Sequence, residues 1–148
     1  SLGELIGVNT AILSPSGAYA GIGFAVPVDT VARIVPQLIE KGRVSRAGLG
    51  AQLLPDHVTR RAGQQGAAIL KVVEGSPAAA AGLQGLSQTT DGRMVIGDII
   101  VSIDRQPVTG VEDLLALLDH YQPGETVSVT CVRGRERRNV TLRLYEIE

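Results

Sequence analysis

Aromatic side chains are scarce in this sequence: its 148 residues hold three Tyr, one Phe and no Trp. Base stacking on aromatic platforms has little to work with, which counts against single-strand nucleic-acid binding. No basic excess compensates. Fourteen Lys and Arg face fifteen Asp and Glu, for a formal charge of −1, whereas phosphate binding needs clustered positive charge. The single cysteine, Cys131, excludes an internal disulfide, a zinc knuckle and a CxxC redox pair. Two distant histidines, His57 and His120, cannot supply a metal cluster. No apolar run approaches the ~18–20 residues that span a bilayer, and no N-terminal signal peptide is visible.

What is present is aliphatic and turn-rich. Apolar residues make up 44%, enough for a core, and 18 Gly with 7 Pro exceed the average share. Leu5 to Ile12 and Gly21 to Val28 predict two strands, with turn chemistry at Ser14-Pro15-Ser16-Gly17 between them. The chain thus opens inside a strand, as a piece of something longer would. From Asp29 the period changes. Val31, Ile34, Val35, Leu38 and Ile39 share one helical stripe, with Asp29 as cap, Gly42 as stop and Pro36 expected to kink or split the run.

A second unit begins near Ser45. Gly48 to Leu54 is a loop entering a strand, and Pro55 to Gly63 suits one or two helical turns. Ala67 to Val73 and Asp98 to Ile103 are strands, and Pro77 opens a short Ala-rich helix. Leu83 to Arg93 is a long polar loop. Thr109-Gly110-Val111-Glu112 fits a capping box, ahead of Val111, Leu114, Leu115 and Leu118 at helical spacing. Thr126 to Arg133 and Arg137 to Ile147 form a hairpin around Gly134. Short, sequentially antiparallel strands with two separate helices suggest an α+β chain, mainly β, or a partly open barrel, and periodicity alone takes the fold no further.

Neither GxSxG nor GDSGG occurs, and His57 and His120 read as surface histidines, so no catalytic residue is assigned. No metal ligand or cofactor is assigned either. Gly21-Ile22-Gly23 lacks the rest of a dinucleotide fingerprint and reads as a close-packed strand. Arg133, Arg135, Arg137 and Arg138 around Glu136 read as a solvated hairpin tip. The informative feature is Gly48-Leu49-Gly50-Ala51 ahead of a strand. Glycine accepts φ > 0 at little cost, so consecutive amides can converge into an anion nest. A nest beside a sheet edge can hold a peptide carboxylate while the peptide adds as a strand. Taken alone, the four residues also fit an ordinary glycine turn.

From Ala47 onward the chain resembles a PDZ domain of the permuted kind found in HtrA/Deg serine proteases. The matching pieces are GLGA as carboxylate-binding loop, GSPAAAAGL, GDIIVSIDRQPV, VEDLLALLDHY as groove helix, and PGETVSVTCVRGRERRNVTL as closing hairpin. Leu5 to Val44 resembles the last strands and closing helix of the HtrA protease domain. In that family the nucleophile lies in GNSGGP, upstream of the stretch matching Leu5. Ser1 aligns after that motif, and the family's His and Asp lie further upstream. The resemblance implies a protease-domain remnant over 1–44, with residues matching Ile12 to Phe24 helping to line the specificity pocket. Over 45–148 it implies a PDZ domain, an antiparallel β-barrel or sandwich with two helices, and no catalytic activity in this chain.

The resemblance further implies a peptide-binding set of Gly48, Leu49, Gly50, Ala51, Gln52, Leu53, Leu115 and Leu118. The amides of Leu49, Gly50 and Ala51 take the carboxylate, Gln52 to Leu54 pair with the peptide, and Leu53, Leu115 and Leu118 form the pocket. The implied partners are C-terminal or extended peptides of unfolded proteins, together with the rest of the protease and its oligomer. Nucleic acid is not among them. The implied compartment is the periplasm or cell envelope, or the thylakoid lumen. A stand-alone PDZ adaptor is the alternative, but an adaptor has no reason to carry Leu5 to Val44. Two residues depart from the family pattern. Ala51 replaces a larger aliphatic, and Arg105 replaces the turn glycine, which strains its φ or changes the turn type. Leu83 to Val95 resembles an insertion of cyanobacterial and plant-type Deg proteases.

Overall fold

A computed structural model describes residues 2–12 and 23–147, and the chain divides after Val44 into two units. In the first, strand β1 (Gly7–Ile12) pairs antiparallel with β2 (Gly23–Pro27), bringing Val8 opposite Val26, with an irregularity between Asn9 and Ala11. The expected turn at Ser14 to Gly17 and the Gly21-Ile22 pair lie outside the described residues. Helix α1 (Val28–Lys41) starts one residue before Asp29, and Pro27 is its N-cap. Its fixed φ suits that place, and the Val28 amide donates to Ile6 O at 3.1 Å. Pro36 does not split the helix, which runs unbroken through it for 14 residues. Gly42, at φ 69°, ends it with its amide on Leu38 O.

The second unit begins with β3 (Arg46–Gly48), β4 (Ala51–Leu53), helix α2 (Asp56–Arg61) and β5 (Ala67–Val72). Helix α3 (Pro77–Ala80), β6 (Ser87–Gln88), β7 (Met94–Val95), β8 (Asp98–Ile103) and β9 (Gln106–Pro107) follow. Helix α4 (Val111–Leu118), β10 (Thr126–Arg133), β11 (Glu136–Arg143) and β12 (Tyr145–Ile147) complete it. The main sheet has the order β11-β10-β8-β5-β4, with β9 folded onto β8, so β4 is an edge strand. β10 alternates strictly: Val127, Val129 and Cys131 are buried while Ser128 and Thr130 between them are partly exposed. One face of it therefore meets the core. β8 is central, and DIIVSI is buried almost throughout. Ile69, Ile100, Ile103, Leu114, Val127 and Val129 form the centre of the packing.

The unit has helices at all three places the sequence suggested, α3 being a single turn. Several expectations need correction. The polar loop after Leu83 contains the small β6–β7 ribbon, with Ser87 opposite Val95. The closing hairpin does not run to Ile147. Leu144 leaves the sheet, exchanging hydrogen bonds with Gly124 and Glu125, and β12 turns away to pair with β3. The capping box is absent. Gly110 is the N-cap without a side chain, Thr109 bonds to Asp113 rather than Glu112, and Asp56 Oδ1 accepts from the Val111 amide at 2.9 Å. The Thr109 hydroxyl, then its amide, hold Asp113 below the usual carboxylate range.

Arg133 is not part of a solvated tip. Its Nε and one terminal NH2 donate to the fully buried Asp98 at 3.0 and 2.6 Å, and that NH2 also reaches Gly82 O. The Gln84 amide gives Asp98 another bond at 2.7 Å. One buried carboxylate thus ties the insertion to β8 and β10. Burial, then Asp98 nearby, push the Cys131 thiol up to about 11. At the β8–β9 turn Asp104 (φ 45°) and Arg105 (φ 68°) are both left-handed, as a type I′ turn demands. Asp104 is held by Ser128 and by the Tyr121 hydroxyl, whereas no such bond holds Arg105.

Candidate functional site

The site is built where β3 passes into β4. Gly48 ends β3 opposite Tyr145, and Leu49 is buried in the core. Gly50 takes φ 82°, the left-handed region open mainly to glycine. Space demands glycine there as well. A Cβ on Gly50 would stand 2.2 Å from Ser76 Cβ and 2.5 Å from its Oγ. Ser76 is nearly inaccessible because it performs two tasks. Its hydroxyl donates to Gly50 O at 3.1 Å, and it accepts from the Ala79 amide to cap α3.

These bonds orient the loop. Leu49 O accepts from the Ala78 amide at 3.0 Å, and Gly50 O accepts from the Val73 amide at 2.8 Å. Both carbonyls therefore point at α3 and the end of β5. In a trans peptide the following N–H points the opposite way. The amides of Gly50 and Ala51 are thus turned away from β5, on the unpaired side of β4. The same reasoning applies at the other end of the strand. The Leu54 amide donates to Ala68 O at 2.8 Å, so the Leu53 carbonyl faces the unpaired side. Two donors followed by an acceptor line an open strand edge.

The side chains divide differently. Ala51 and Leu53 are half-buried against the core, and Gln52 is exposed opposite Lys71. On α4, Leu118 lies in the core beside Leu114, while Leu115 is 52% exposed. The structure thus places Gly50 to Leu53 along one strand edge, Gly48 in the β3–β12 pair and Leu49 in the core, and sets Leu115 and Leu118 in different surroundings. His57 and His120 are both exposed. Sequence reasoning missed two positioning residues. Ser76 was visible only as part of a Gly-Ser-Pro turn. Asp56 caps α4 from 55 residues away, a pairing no local pattern announces.

Residues 22–144 match the PDZ domain family. The chain belongs to that family. Its relatives are proteases. Protease Do-like 1, chloroplastic, of Arabidopsis thaliana is 42% identical over 97% of this chain, which covers 33% of that protein. A probable periplasmic serine endoprotease, DegP-like, of Bartonella henselae is 37% identical over 96% of the chain and is 27% covered. Among solved structures, the HtrA-type protease AlgW with decapeptide superposes with a TM-score of 0.71 at 30% identity, over 99% of this chain and 43% of that one. The PDZ unit is thus of the HtrA/Deg kind, and the chain spans about a third of the curated relatives it matches.

Proposed function

We propose that residues 45–148 are the peptide-binding module of an HtrA/Deg-like serine endopeptidase, and that 1–44 are the end of its protease domain. The observation that carries the reading is the orientation of the loop. With Leu49 O and Gly50 O tied inward, the Gly50 and Ala51 amides are presented to a ligand at the edge of β4. A peptide's terminal carboxylate is the matching group, because charge-assisted bonds to amides exceed neutral ones in strength. The preceding peptide residues add to β4, and Leu53, Leu115 and Leu118 with the small Ala51 shape the side-chain pocket. The likeness to HtrA-type proteases covers 99% of the chain, which favours a protease-borne module over a stand-alone adaptor. By the same kinship the peptides come from unfolded proteins, in a periplasmic or thylakoid-lumen compartment.

Ordering an extended peptide offsets much of the gain, so the dissociation constant falls at roughly 1–100 μM, on the order of −8 to −5.5 kcal/mol. The test is a calorimetric titration with peptides that end in a free acid or in an amide. The acid form binds at least tenfold more tightly. Equal affinities for the two forms remove the carboxylate from the reading.

A further inference from the structure

The edge that begins at Gly50 leads to an acidic pocket at its other end. Past β4 the chain runs through Leu54 and Pro55 into α2, and Asp56 Oδ1 holds the Val111 amide at 2.9 Å. The N-terminus of α4 therefore stands at the end of β4 remote from Gly50. There a cavity of about 120 Å³ is lined by Asp56, Thr59, Arg60, Glu112 and Asp113, among others. Three carboxylates face one guanidinium, so negative charge is in excess. Asp56 fits because position 110 is glycine: a Cβ there would stand 2.6 Å from Asp56 Oδ2. Thr59, one turn after Asp56, is 1% exposed, and its Oγ1 is buried without a hydrogen-bond partner. Buried polar atoms are nearly always partnered, so an unpartnered hydroxyl in the wall of this pocket is unusual.

We propose that this pocket receives the cationic head of a lysine or arginine side chain of the bound peptide, four to five residues ahead of its terminal carboxylate. The inference rests on the peptide-binding reading above. A carboxylate fixed at the Gly50 and Ala51 amides makes the peptide run antiparallel to β4. If its last residue lies opposite Ala51, the residues four and five positions earlier lie opposite Pro55 and Asp56. That is a span of roughly 13–17 Å at the rise of a strand. An ammonium or guanidinium supplies donors that Asp56 Oδ2 and Glu112 can accept. Among the described residues no three His, Cys, Asp or Glu converge closely enough to hold a metal ion, which favours an organic cation.

The experiment is an affinity selection on the full chain from a random decapeptide library with free C-termini, with an amidated library in parallel. The variants are Asp56→Asn/Glu112→Gln and Glu112→Gln alone; asparagine keeps the Oδ1 acceptor that caps α4. Lysine and arginine should be enriched about three- to tenfold at the fourth and fifth positions before the last residue. The double variant should lose that enrichment and keep its preference at the last residue, and Glu112→Gln should lose part of it. Absence of enrichment, or enrichment unchanged in the variants, overturns the proposal and leaves these acids as helix caps. If the acid library is retained over the amidated one without enrichment, only this inference falls. If both libraries are retained equally, the carboxylate anchor falls and this inference with it; if neither is retained, the peptide-binding reading itself falls. Circular dichroism identifies a double variant that fails to fold, in which case Glu112→Gln decides.

Discussion

Replacing Gly50 by alanine tests the site where its geometry is tightest. Two costs are separable. The backbone sits at φ 82°, and an L-residue in the left-handed region costs roughly 1–2 kcal/mol. The added Cβ would stand 2.2 Å from Ser76 Cβ, an overlap that needs backbone shifts of the kind that cost about 1–3 kcal/mol. Gly50→Ala should therefore lose about 2–5 kcal/mol. In a Ser76→Gly background the colliding atoms are gone, and the next neighbour is Tyr145 Cε1 at 3.3 Å. Only the backbone cost should then remain. Ser76→Gly itself removes the hydroxyl bond to Gly50 O and the side-chain cap on the Ala79 amide, together worth about 1–2 kcal/mol. Urea unfolding of the four proteins, followed by far-ultraviolet circular dichroism, closes the cycle with a coupling of about 1–3 kcal/mol. A Gly50→Ala loss below about 0.5 kcal/mol, or one of equal size in both backgrounds, refutes the packing of this loop on Ser76.

Three other substitutions probe the frame around the site. Arg133→Met leaves Asp98 buried without its guanidinium and should cost about 3 kcal/mol in urea unfolding, whereas Asp98→Asn/Arg133→Met should recover part of it; a neutral single variant contradicts the bridge. Arg105→Gly relieves a left-handed arginine held by no bond from its neighbours and should stabilise by about 0.5–1 kcal/mol, once glycine's greater freedom in the unfolded chain is subtracted; a loss of stability would mean that the turn is not strained. Cys131 is fully buried and its thiol is raised from 9.0 to about 11, so the folded state keeps a proton that the unfolded state releases. Stability from this source is complete below about pH 9 and fades as pH rises through about 11, and a Cys131→Val variant should flatten that alkaline limb; stoichiometric thiol labelling at pH 8 without denaturant would show the residue to be open.

What could be read in advance was local. Asp98 to Ile103 forms a strand over the residues expected, because four of its six residues are β-branched aliphatics. Pro77 opens α3 behind Ser76, since a missing amide hydrogen costs nothing at a helix start. Misreadings arose wherever a partner lies far along the chain. Glu112 was paired with Thr109 on spacing alone, but Asp56 arrives from another helix and supplies the cap. Arg133 looked like one of four solvated arginines, but a buried carboxylate 35 residues earlier takes it inward. Tyr145 to Ile147 looked like more of β11, but the inward-facing phase shifts after Leu144, which is held by Gly124 and Glu125, and the last three residues pair with β3 instead. Helical spacing put Leu115 and Leu118 on one side of α4, yet it cannot say which of them the core will cover.

The placement of Gly50 bears on affinity as well as on specificity. A nest that formed only around its ligand would add the cost of fixing two or three residues, about 1–2 kcal/mol each, to that of ordering the peptide. Here the loop is held before any ligand arrives, by bonds from three places: Ala78 on Leu49 O, and Val73 and Ser76 on Gly50 O. Each bond points a carbonyl inward and so points an amide outward. In the binding mode proposed above, conformational cost then falls on the peptide alone, which is how preorganised sites gain affinity without new contacts. The same arrangement limits what the loop can recognise. With its donors fixed and its carbonyls occupied, it accepts a group rich in lone pairs and offers little to a cation. The selectivity for basic residues proposed above therefore rests on the other end of β4, where Asp56, Glu112 and Asp113 line the pocket.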